Sequence, residues 1–360
     1  MSRNVSDVAA STALPPVFES WFASRGWSPR PHQRAMVAAA REGRHALLIA
    51  PTGGGKTLAG FLPSLIELHE RGPTNAPPGV HTLYVSPLKA LAADVERNLT
   101  RPVAEMGLNV RVETRTGDTP QSKRARQKIT PPDVLLTTPE QVALFCAWEG
   151  ARDWFSGLKR VIVDEIHAVR PSKRGDLLSL GIERLQSFAP TLSRVGLSAT
   201  VDDPDLLRRW IAPAPEVAAL VRGAGGAPPV IDVLISDERV PWSGHTARHA
   251  IAEVYEAIKT ARTALIFVNT RFQAELAFQA LWDLNEDGLP IALHHGSLAV
   301  EQRRKVESAM ARGELRAVVC TSTLDLGIDW GAVDLVIQLA APKGSSRLVQ
   351  RIGRANHRLD

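Results

Sequence analysis

A chain of 360 residues is long enough for two domains, since a single core of that size would be unusual. Charged residues make up 22% of it, as in soluble globular proteins, and no run approaches the roughly 20 apolar residues that would span a bilayer. The formal charge of +5 favours a polyanionic partner.

The first residues and the cysteines set the expected compartment. Residues 1–12 hold no apolar segment behind a basic one, so they predict no signal peptide. Cys146 and Cys320 lie far apart in apolar runs, which predicts buried free thiols rather than a disulfide or a zinc site. We therefore expect a protein of the reducing cytoplasm with no membrane partner, and we take it to be a monomer.

Short apolar, β-branched runs alternate with longer helical patterns along the whole chain. The predicted strands form two sets, at residues 46–50, 81–86, 110–114, 133–137, 161–164 and 195–198, and then at 264–268, 291–294, 317–321 and 335–339. Such runs with helices between them are typical of parallel strands buried on both faces and joined by right-handed crossovers. The predicted fold class is α/β, with mainly parallel sheets in two similar domains.

Proline and glycine concentrate between the two sets of strands, within residues 212–229. Such a stretch should not continue a helix or a central strand, so we place the domain boundary and a hinge there. The expected organisation is an N-terminal lead-in over residues 1–23, a first domain over 24–211, a linker over 212–240 and a second domain over 241–360.

The first strand runs into a glycine-rich loop, and the sequence Ala-Pro-Thr-Gly-Gly-Gly-Lys-Thr occupies positions 50–57. Between a strand and a helix this is a P-loop, in which backbone N–H groups and the helix N-terminus surround phosphate oxygens. Lys56 is expected to bind the β- and γ-phosphates and Thr57 to bind Mg²⁺. The predicted loop residues are Thr52, Gly53, Gly54, Gly55, Lys56 and Thr57. Ala50 replaces the first glycine of the general pattern.

Two carboxylates follow the buried strand at 161–164, where ligands bind in open parallel sheets. We expect Asp164 to hold Mg²⁺ and Glu165 to orient and deprotonate the attacking water. Alone, such a pair is usually a solvated turn, but the upstream P-loop favours catalysis. His167 is expected to bond to the segment that holds Ser198 and Thr200, at the end of the next strand, and so to couple the two.

These segments together resemble a superfamily 2 DExH-box helicase, which implies two tandem RecA-like domains of the P-loop NTPase kind with ATP and Mg²⁺ as cofactors. In such enzymes an upstream glutamine, here Gln33, reads adenine. The resemblance also implies that Gly327 and Asp329 approach the ribose and phosphates. Arg354 is the expected arginine finger, assisted by Arg351 or Arg358, because His357 stands where many relatives have arginine.

The same resemblance identifies candidate nucleic-acid contacts in both domains. They match motifs of the superfamily at Pro87, Lys89, Gly117, Thr138, Pro139, Asn269, Arg271, Gly296, Thr321 and Ser322. Arg170, Lys173 and Arg174 are added because the loop that leaves the catalytic strand should face the cleft. A basic run at residues 123–128 fits a solvated helix face and a phosphate-steering patch equally well.

More narrowly, the chain resembles the large helicase-related (Lhr) group, and within it the bacterial ligase-associated DEXH-box helicases. The phrases that carry this resemblance occupy residues 50–57, 171–175, 323–331 and 350–358. It implies a nucleoid-associated 3′-to-5′ motor on single-stranded or partly duplex DNA in DNA repair, with a DNA ligase and a repair nuclease as partners. Relatives continue beyond this last motif, so the chain is expected to be an N-terminal motor fragment.

Two other readings remain open from the residues. An RNA remodeller of the same fold would use the same backbone contacts, and contacts to 2′-hydroxyls would distinguish it. A nucleotide-switched binding module without turnover is disfavoured, because Lys56, Glu165 and Arg354 are all present.

Overall fold

The structure, a computed structural model, describes residues 13–51, 54–72, 79–199, 201, 203–213, 217–224, 230–236, 248–324, 333–341, 348, 351–353 and 355. The chain divides into two compact units, one holding most residues up to Ala224 and the other the residues from Gly225 onward. Within the described residues, none of the helices has the length and apolar character needed to cross a membrane.

The first unit is built on a parallel sheet of seven strands in the order β3-β4-β2-β5-β6-β1-β7. The strands are β1 Ala46–Ile49, β2 Thr82–Val85, β3 Val112–Thr114, β4 Val134–Thr137, β5 Arg160–Val163, β6 Ser193–Ser198 and β7 Ala219–Arg222. The helices are α1 Pro16–Ser24, α2 Pro31–Arg41, α3 Lys56–Arg71, α4 Lys89–Glu105, α5 Gln121–Ile129, α6 Pro139–Cys146, α7 Ala151–Phe155, α8 Ile166–Val169, α9 Lys173–Phe188 and α10 Pro204–Ile211.

Both faces of this sheet are buried, which explains the uninterrupted apolar runs. Successive residues of a strand point to opposite faces, and so Leu47 and Leu48 of β1 belong to different cores. One core contains Phe61 of α3, and the other contains Leu178 of α9. The predicted α/β class with parallel strands is confirmed.

One strand lies where the sequence predicts a linker. Residues Ala219–Arg222 form β7, which pairs in parallel with β1 at the edge of the first sheet. The sequence excluded only a helix or a central strand from residues 212–229, so this edge strand is compatible with it, but the first unit extends to Ala224 instead of ending at residue 211. An edge strand needs only one partner, so a short apolar segment between proline and glycine suffices.

The second unit contains a parallel sheet of four strands in the order β11-β8-β10-β9. Its elements are α11 Ile251–Thr260, β8 Ala264–Phe267, α12 Arg271–Asp283, β9 Ile291–His294, α13 Val300–Ala311, β10 Ala317–Cys320 and β11 Leu335–Gln338, with short 3₁₀ turns at Arg248–Ala250 and Ser322–Leu324. All ten strands predicted in the two units are present, with ends within two residues of those expected.

Candidate functional site

The predicted phosphate-binding loop connects β1 to α3, and its last residue has a backbone conformation that favours glycine. Gly55 caps the helix with φ of 71°, in the left-handed region. Lys56 is then the first helical residue and is buried, while Thr57 is half-buried. The first N–H groups of a helix have no partners within it, so this end suits an anion. Gly54 is described and buried, whereas Thr52 and Gly53 lie outside the described residues.

Gln33 lies beside this loop, near the start of α2. Its side-chain Oε1 accepts a hydrogen bond from the backbone N–H of Arg30 at 2.9 Å. A Cβ atom added to Gly55 would lie 3.0 Å from Gln33 Nε2, so the amide packs directly on the loop. The residue predicted to read adenine is thus held next to the residues predicted to hold phosphate.

The acidic pair lies at the carboxyl end of β5, close to the P-loop lysine. Asp164 and Glu165 are both buried, and the Lys56 ammonium lies 3.8 Å from Glu165 Oε1. Asp164 Oδ1 accepts the backbone N–H of Glu165 at 2.9 Å, and Asp164 Oδ2 accepts the hydroxyl of Tyr84. Glu165 has φ of 47°, an unfavourable conformation for a residue with a Cβ, which turns its carboxylate towards Lys56.

Burial dominates the electrostatics of this pair. Loss of solvation, together with the charge of Glu165, raises the pKa of Asp164 to about 6, although Lys56 and two hydrogen bonds oppose the change. Burial also lowers the pKa of His167 against the pull of Glu165, so its imidazole is neutral near pH 7. The site therefore contains more negative charge than Lys56 alone balances, and a cation would relieve it.

The donor atoms fit magnesium. Asp164 offers a buried carboxylate and Thr57 a hydroxyl at the start of α3, and both are hard oxygen ligands. In the part of the chain that the structure describes, no group of three or more His, Cys, Asp or Glu could hold a metal alone. Magnesium typically binds through one or two side chains with the remaining ligands from water and substrate phosphates, which suits this site.

His167 links the acidic pair to the next strand, as the sequence predicts for Ser198. Its Nδ1 lies 2.9 Å from Ser198 Oγ at the end of β6 and 3.5 Å from Glu165 Oε2. Thr200 lies outside the described residues. The His167 imidazole therefore connects the Glu165 carboxylate to the end of β6 by direct contacts.

Two predicted nucleic-acid residues of the first unit meet after β2 and β3. The Lys89 ammonium lies 2.7 Å from Asp118 Oδ1. A Cβ added to Gly117 would lie 3.2 Å from Lys89 Nζ. The Arg124 guanidinium holds this turn by donating to the carbonyls of Thr116, Gly117 and Thr119. Lys89 and Gly117 are exposed, but Pro87 is buried, which leaves it a supporting role.

A second group lies at the starts of α6 and α9. Thr138 and Pro139 are buried where α6 begins, and the Arg174 guanidinium pairs with Glu140 of the same helix. Lys173 is exposed and Arg170 is half-buried. The structure thus brings the Thr-Pro-Glu segment and the loop after the catalytic strand together, although Arg174 already has a carboxylate partner.

The basic run at residues 123–128 is mostly occupied by local contacts. Arg126 pairs with Glu113 at 2.8 Å, Lys123 lies 3.9 Å from Glu96, and Arg124 holds the Gly117 turn. The Lys128 ammonium lies over the ring of Trp148. These contacts favour the reading of a structural helix face over that of a phosphate-steering patch.

In the second unit, a buried histidine joins the loops that follow β9 and β10. His294 Nδ1 lies 2.9 Å from Thr323 Oγ1, and Gly296 lies next to the same threonine. Thr321 and Ser322 lie in that loop as well, so this predicted group comes together. The Asn269 amide donates to Ala341 O at 2.7 Å, and Arg271 pairs with Glu275 at 2.8 Å.

Arg351 makes contacts within the second unit. It is buried in the second unit, donates to Gln338 Oε1 and lies with its guanidinium 4.6 Å from the ring centroid of Phe267. A cation held in this way supports β8 and β11, a structural role that the sequence did not predict, and the expected assistance to Arg354 stays a prediction. Gly327, Asp329 and Arg354 lie outside the described residues.

Tyr84 is the residue of the site that sequence reasoning missed. No motif contains it, and in the sequence it is one more apolar-run residue of β2. Its alternation with Leu83 and Val85 predicts only which face it occupies. Its contact with Asp164 depends on which strand lies beside β2.

Two domain families match this chain in tandem. Residues 30–207 match the DEAD/DEAH box helicase family, and residues 247–358 match the helicase conserved C-terminal domain. Together these matches cover the P-loop, the acidic pair and the late arginines.

Curated relatives are similar over nearly the whole chain. The chain is 39% identical to the Lhr helicase/probable uracil glycosylase of Mycolicibacterium smegmatis, covering 94% of itself and 25% of that protein. It is 36% identical to the ATP-dependent helicase Lhr-Core of Methanocaldococcus jannaschii, covering 100% of itself and 44% of the relative. The chain thus spans less than half the length of both relatives.

A solved structure is also similar. The structure of Mycobacterium smegmatis helicase Lhr bound to ssDNA and AMP-PNP matches with a TM-score of 0.80 and 38% identity, over 96% of this chain and 46% of that one.

Proposed function

Because this chain belongs to the superfamily 2 helicases, and within them to the Lhr group, we propose that it hydrolyses ATP and couples hydrolysis to movement along single-stranded DNA. The observation that carries the proposal is the meeting of Lys56 with Asp164 and Glu165 at one edge of a parallel sheet. The smegmatis relative bound to ssDNA favours DNA over RNA, and the net charge of +5 suits either.

The residues of the first unit divide the work on ATP. Gln33 binds the base, while the N-terminus of α3 and Lys56 bind the phosphates. Asp164 and Thr57 would hold Mg²⁺, which when bound neutralises phosphate charge. When ATP binds, the Lys56 ammonium pairs with the phosphates instead of Glu165. The Glu165 carboxylate can then accept a proton from the attacking water.

An arginine from the last motif is expected to complete the reaction. We assign this role to Arg354 on the strength of the family motif alone. An arginine finger in other systems raises the rate of phosphate transfer by about 10³–10⁵, so its arrival would make hydrolysis depend on nucleic-acid binding. Release of phosphate would then end the attraction between Arg354 and the γ-phosphate and permit the next step along the strand.

The direct test measures ATP hydrolysis by this chain with single-stranded DNA, with single-stranded RNA and with neither. We expect stimulation by DNA to exceed stimulation by RNA. Glu165→Gln should lower kcat by about 10²–10⁴ while leaving the affinity for a non-hydrolysable ATP analogue unchanged. Glu70→Gln, an exposed residue at the far end of α3, is the matched control and should behave as wild type. Turnover indifferent to all nucleic acid, or retained in Glu165→Gln, would refute the proposal.

Polarity, a role in DNA repair and partnership with a ligase or a nuclease are further parts of the proposal, supported by the family resemblance. Displacement of streptavidin from DNA biotinylated at either end tests the polarity. Faster removal from the 5′ end than from the 3′ end is the result expected of a 3′-to-5′ motor.

A further inference from the structure

We propose that Tyr84 is a positioning residue that sets the orientation of the Asp164 carboxylate for metal binding. The inference rests on the proposed function, since it concerns the Mg²⁺ that accompanies ATP. Tyr84 is fully buried in β2, and its hydroxyl donates a hydrogen bond to Asp164 Oδ2.

The contact follows from the pairing of β2 with β5. Tyr84 lies opposite Ile162 in this parallel pair, and the two side chains share one face of the sheet. Asp164 is two residues beyond Ile162, about 6.6 Å further along a parallel strand. Among the residues that favour strands, a tyrosine has the length and the terminal hydroxyl to bridge that distance.

Two hydrogen bonds then fix the plane of the carboxylate. Asp164 Oδ1 accepts from the Glu165 backbone and Oδ2 accepts from Tyr84, and each oxygen keeps a second lone pair for another partner. The tyrosine ring is itself held by Phe61 of α3, with ring centroids 5.1 Å apart. Tyr84 therefore contacts both the helix that begins with Lys56 and the carboxylate expected to bind metal.

A structural explanation competes with this one. A buried hydroxyl needs a hydrogen-bond partner, and Asp164 could simply be the nearest acceptor. Removal of the hydroxyl would then alter stability but not metal binding. Partners of metal-bound side chains, by contrast, typically change metal affinity by about 10–100-fold when they are removed.

The chain provides a matched control in its other tyrosine. Tyr255 lies in the second unit, is buried, and its hydroxyl bonds Asn285 at 3.1 Å and Asp287 at 3.0 Å. Tyr84→Phe and Tyr255→Phe thus each remove one hydroxyl from a carboxylate while they keep the ring. Their unfolding midpoints report the structural part of each effect.

The test titrates Mg²⁺ into the full chain with a fluorescent non-hydrolysable ATP analogue. We expect the Mg²⁺ concentration at half-maximal binding to rise about tenfold or more in Tyr84→Phe, with analogue binding in EDTA unchanged, and to stay at the wild-type value in Tyr255→Phe. Equal Mg²⁺ requirements in wild type and Tyr84→Phe would overturn this inference alone. Absence of any Mg²⁺ dependence in wild type would overturn the proposed function as well.

A second measurement keeps the inference testable if Tyr84→Phe does not fold. The chain has two tyrosines, so 3-fluorotyrosine incorporated into Tyr255→Phe labels position 84 alone. The ¹⁹F resonance should shift when Mg²⁺ is added to the protein with bound analogue, and the shift should follow the binding curve. A resonance unmoved by saturating Mg²⁺ would overturn the inference.

Discussion

An ion pair at the opposite end of β5 from the candidate site connects β5 to α3, the two elements that hold the site residues. Arg160 is the first residue of β5, which is followed directly by Asp164, and Glu67 lies late in α3, which begins with Lys56. The Arg160 guanidinium is buried and donates to both Glu67 oxygens, at 2.7 and 3.1 Å, and to Ser64 Oγ at 2.7 Å. Glu67→Gln should therefore destabilise the first unit.

The magnitude follows from the pKa of Glu67. Burial would raise that pKa, but hydrogen bonds from His81 and Arg160 outweigh burial and lower it from 4.5 to about 2. At 1.36 kcal/mol per pH unit, this corresponds to at most about 3.4 kcal/mol of stability at pH 7. Because the Glu67 side chain is 35% exposed, solvent screening reduces the expected loss to about 1–2 kcal/mol.

The pH dependence gives the sharper test. A carboxylate with a lowered folded-state pKa contributes its full stability above pH 4.5 and loses it as the pH falls through 2. Urea unfolding of wild type and Glu67→Gln should thus show a difference that shrinks by about four-tenths between pH 7 and pH 3.5. Glu70→Gln is again the control. A difference that is constant with pH, or no larger than that of the control, would refute this account of the pair.

Two further predictions concern Gly55 and Arg351. Gly55 and Gly26 have similar left-handed backbones, with φ of 71° and 68°, so alanine is strained at both positions. A Cβ at position 55 would also crowd Gln33 Nε2, whereas a Cβ at position 26 would have no atom within 4 Å. Gly55→Ala and Gly26→Ala should each cost about 1–2 kcal/mol in unfolding, and only Gly55→Ala should weaken analogue binding, by about tenfold; equal binding in both would contradict the packing argument. Arg351→Met leaves Gln338 without its cation and should lower the free energy of unfolding of the second unit by about 2 kcal/mol. A loss of hydrolysis with no change in unfolding would instead favour the assisting role at the phosphates.

The sequence sufficed wherever a local pattern determines the outcome. The strand β1 is buried on both faces, and this alone produces its uninterrupted apolar run before the loop. The P-loop is recognisable because Gly55, Lys56 and Thr57 are adjacent and act through one helix end. The acidic pair follows the same logic at the end of β5.

The rest depends on contacts between distant parts of the chain. Tyr84 and Asp164 are 80 residues apart, and their contact exists because β2 and β5 are neighbours in the sheet. Arg351 is one of several arginines in its motif, and its contact with Phe267 depends on the position of β8. Local composition does not determine which strands are neighbours, so the roles of Tyr84 and Arg351 could not be predicted from the sequence.

Strand order also separates the two kinds of predicted site on the first sheet. In a parallel sheet all carboxyl ends meet at one edge, and the order β4-β2-β5-β6-β1 separates this edge into halves. The nucleotide residues follow β5 and β1, while the predicted nucleic-acid residues of this unit follow β2, β3 and β4, except Arg170, Lys173 and Arg174, which follow β5. The strand β2 belongs to both halves, since it ends near Lys89 and carries Tyr84 to Asp164. If a nucleic-acid strand shifts the end of β2, it acts on a group that is hydrogen-bonded to the carboxylate expected to bind metal. We therefore expect β2, as well as His167, to connect the predicted nucleic-acid and nucleotide sites.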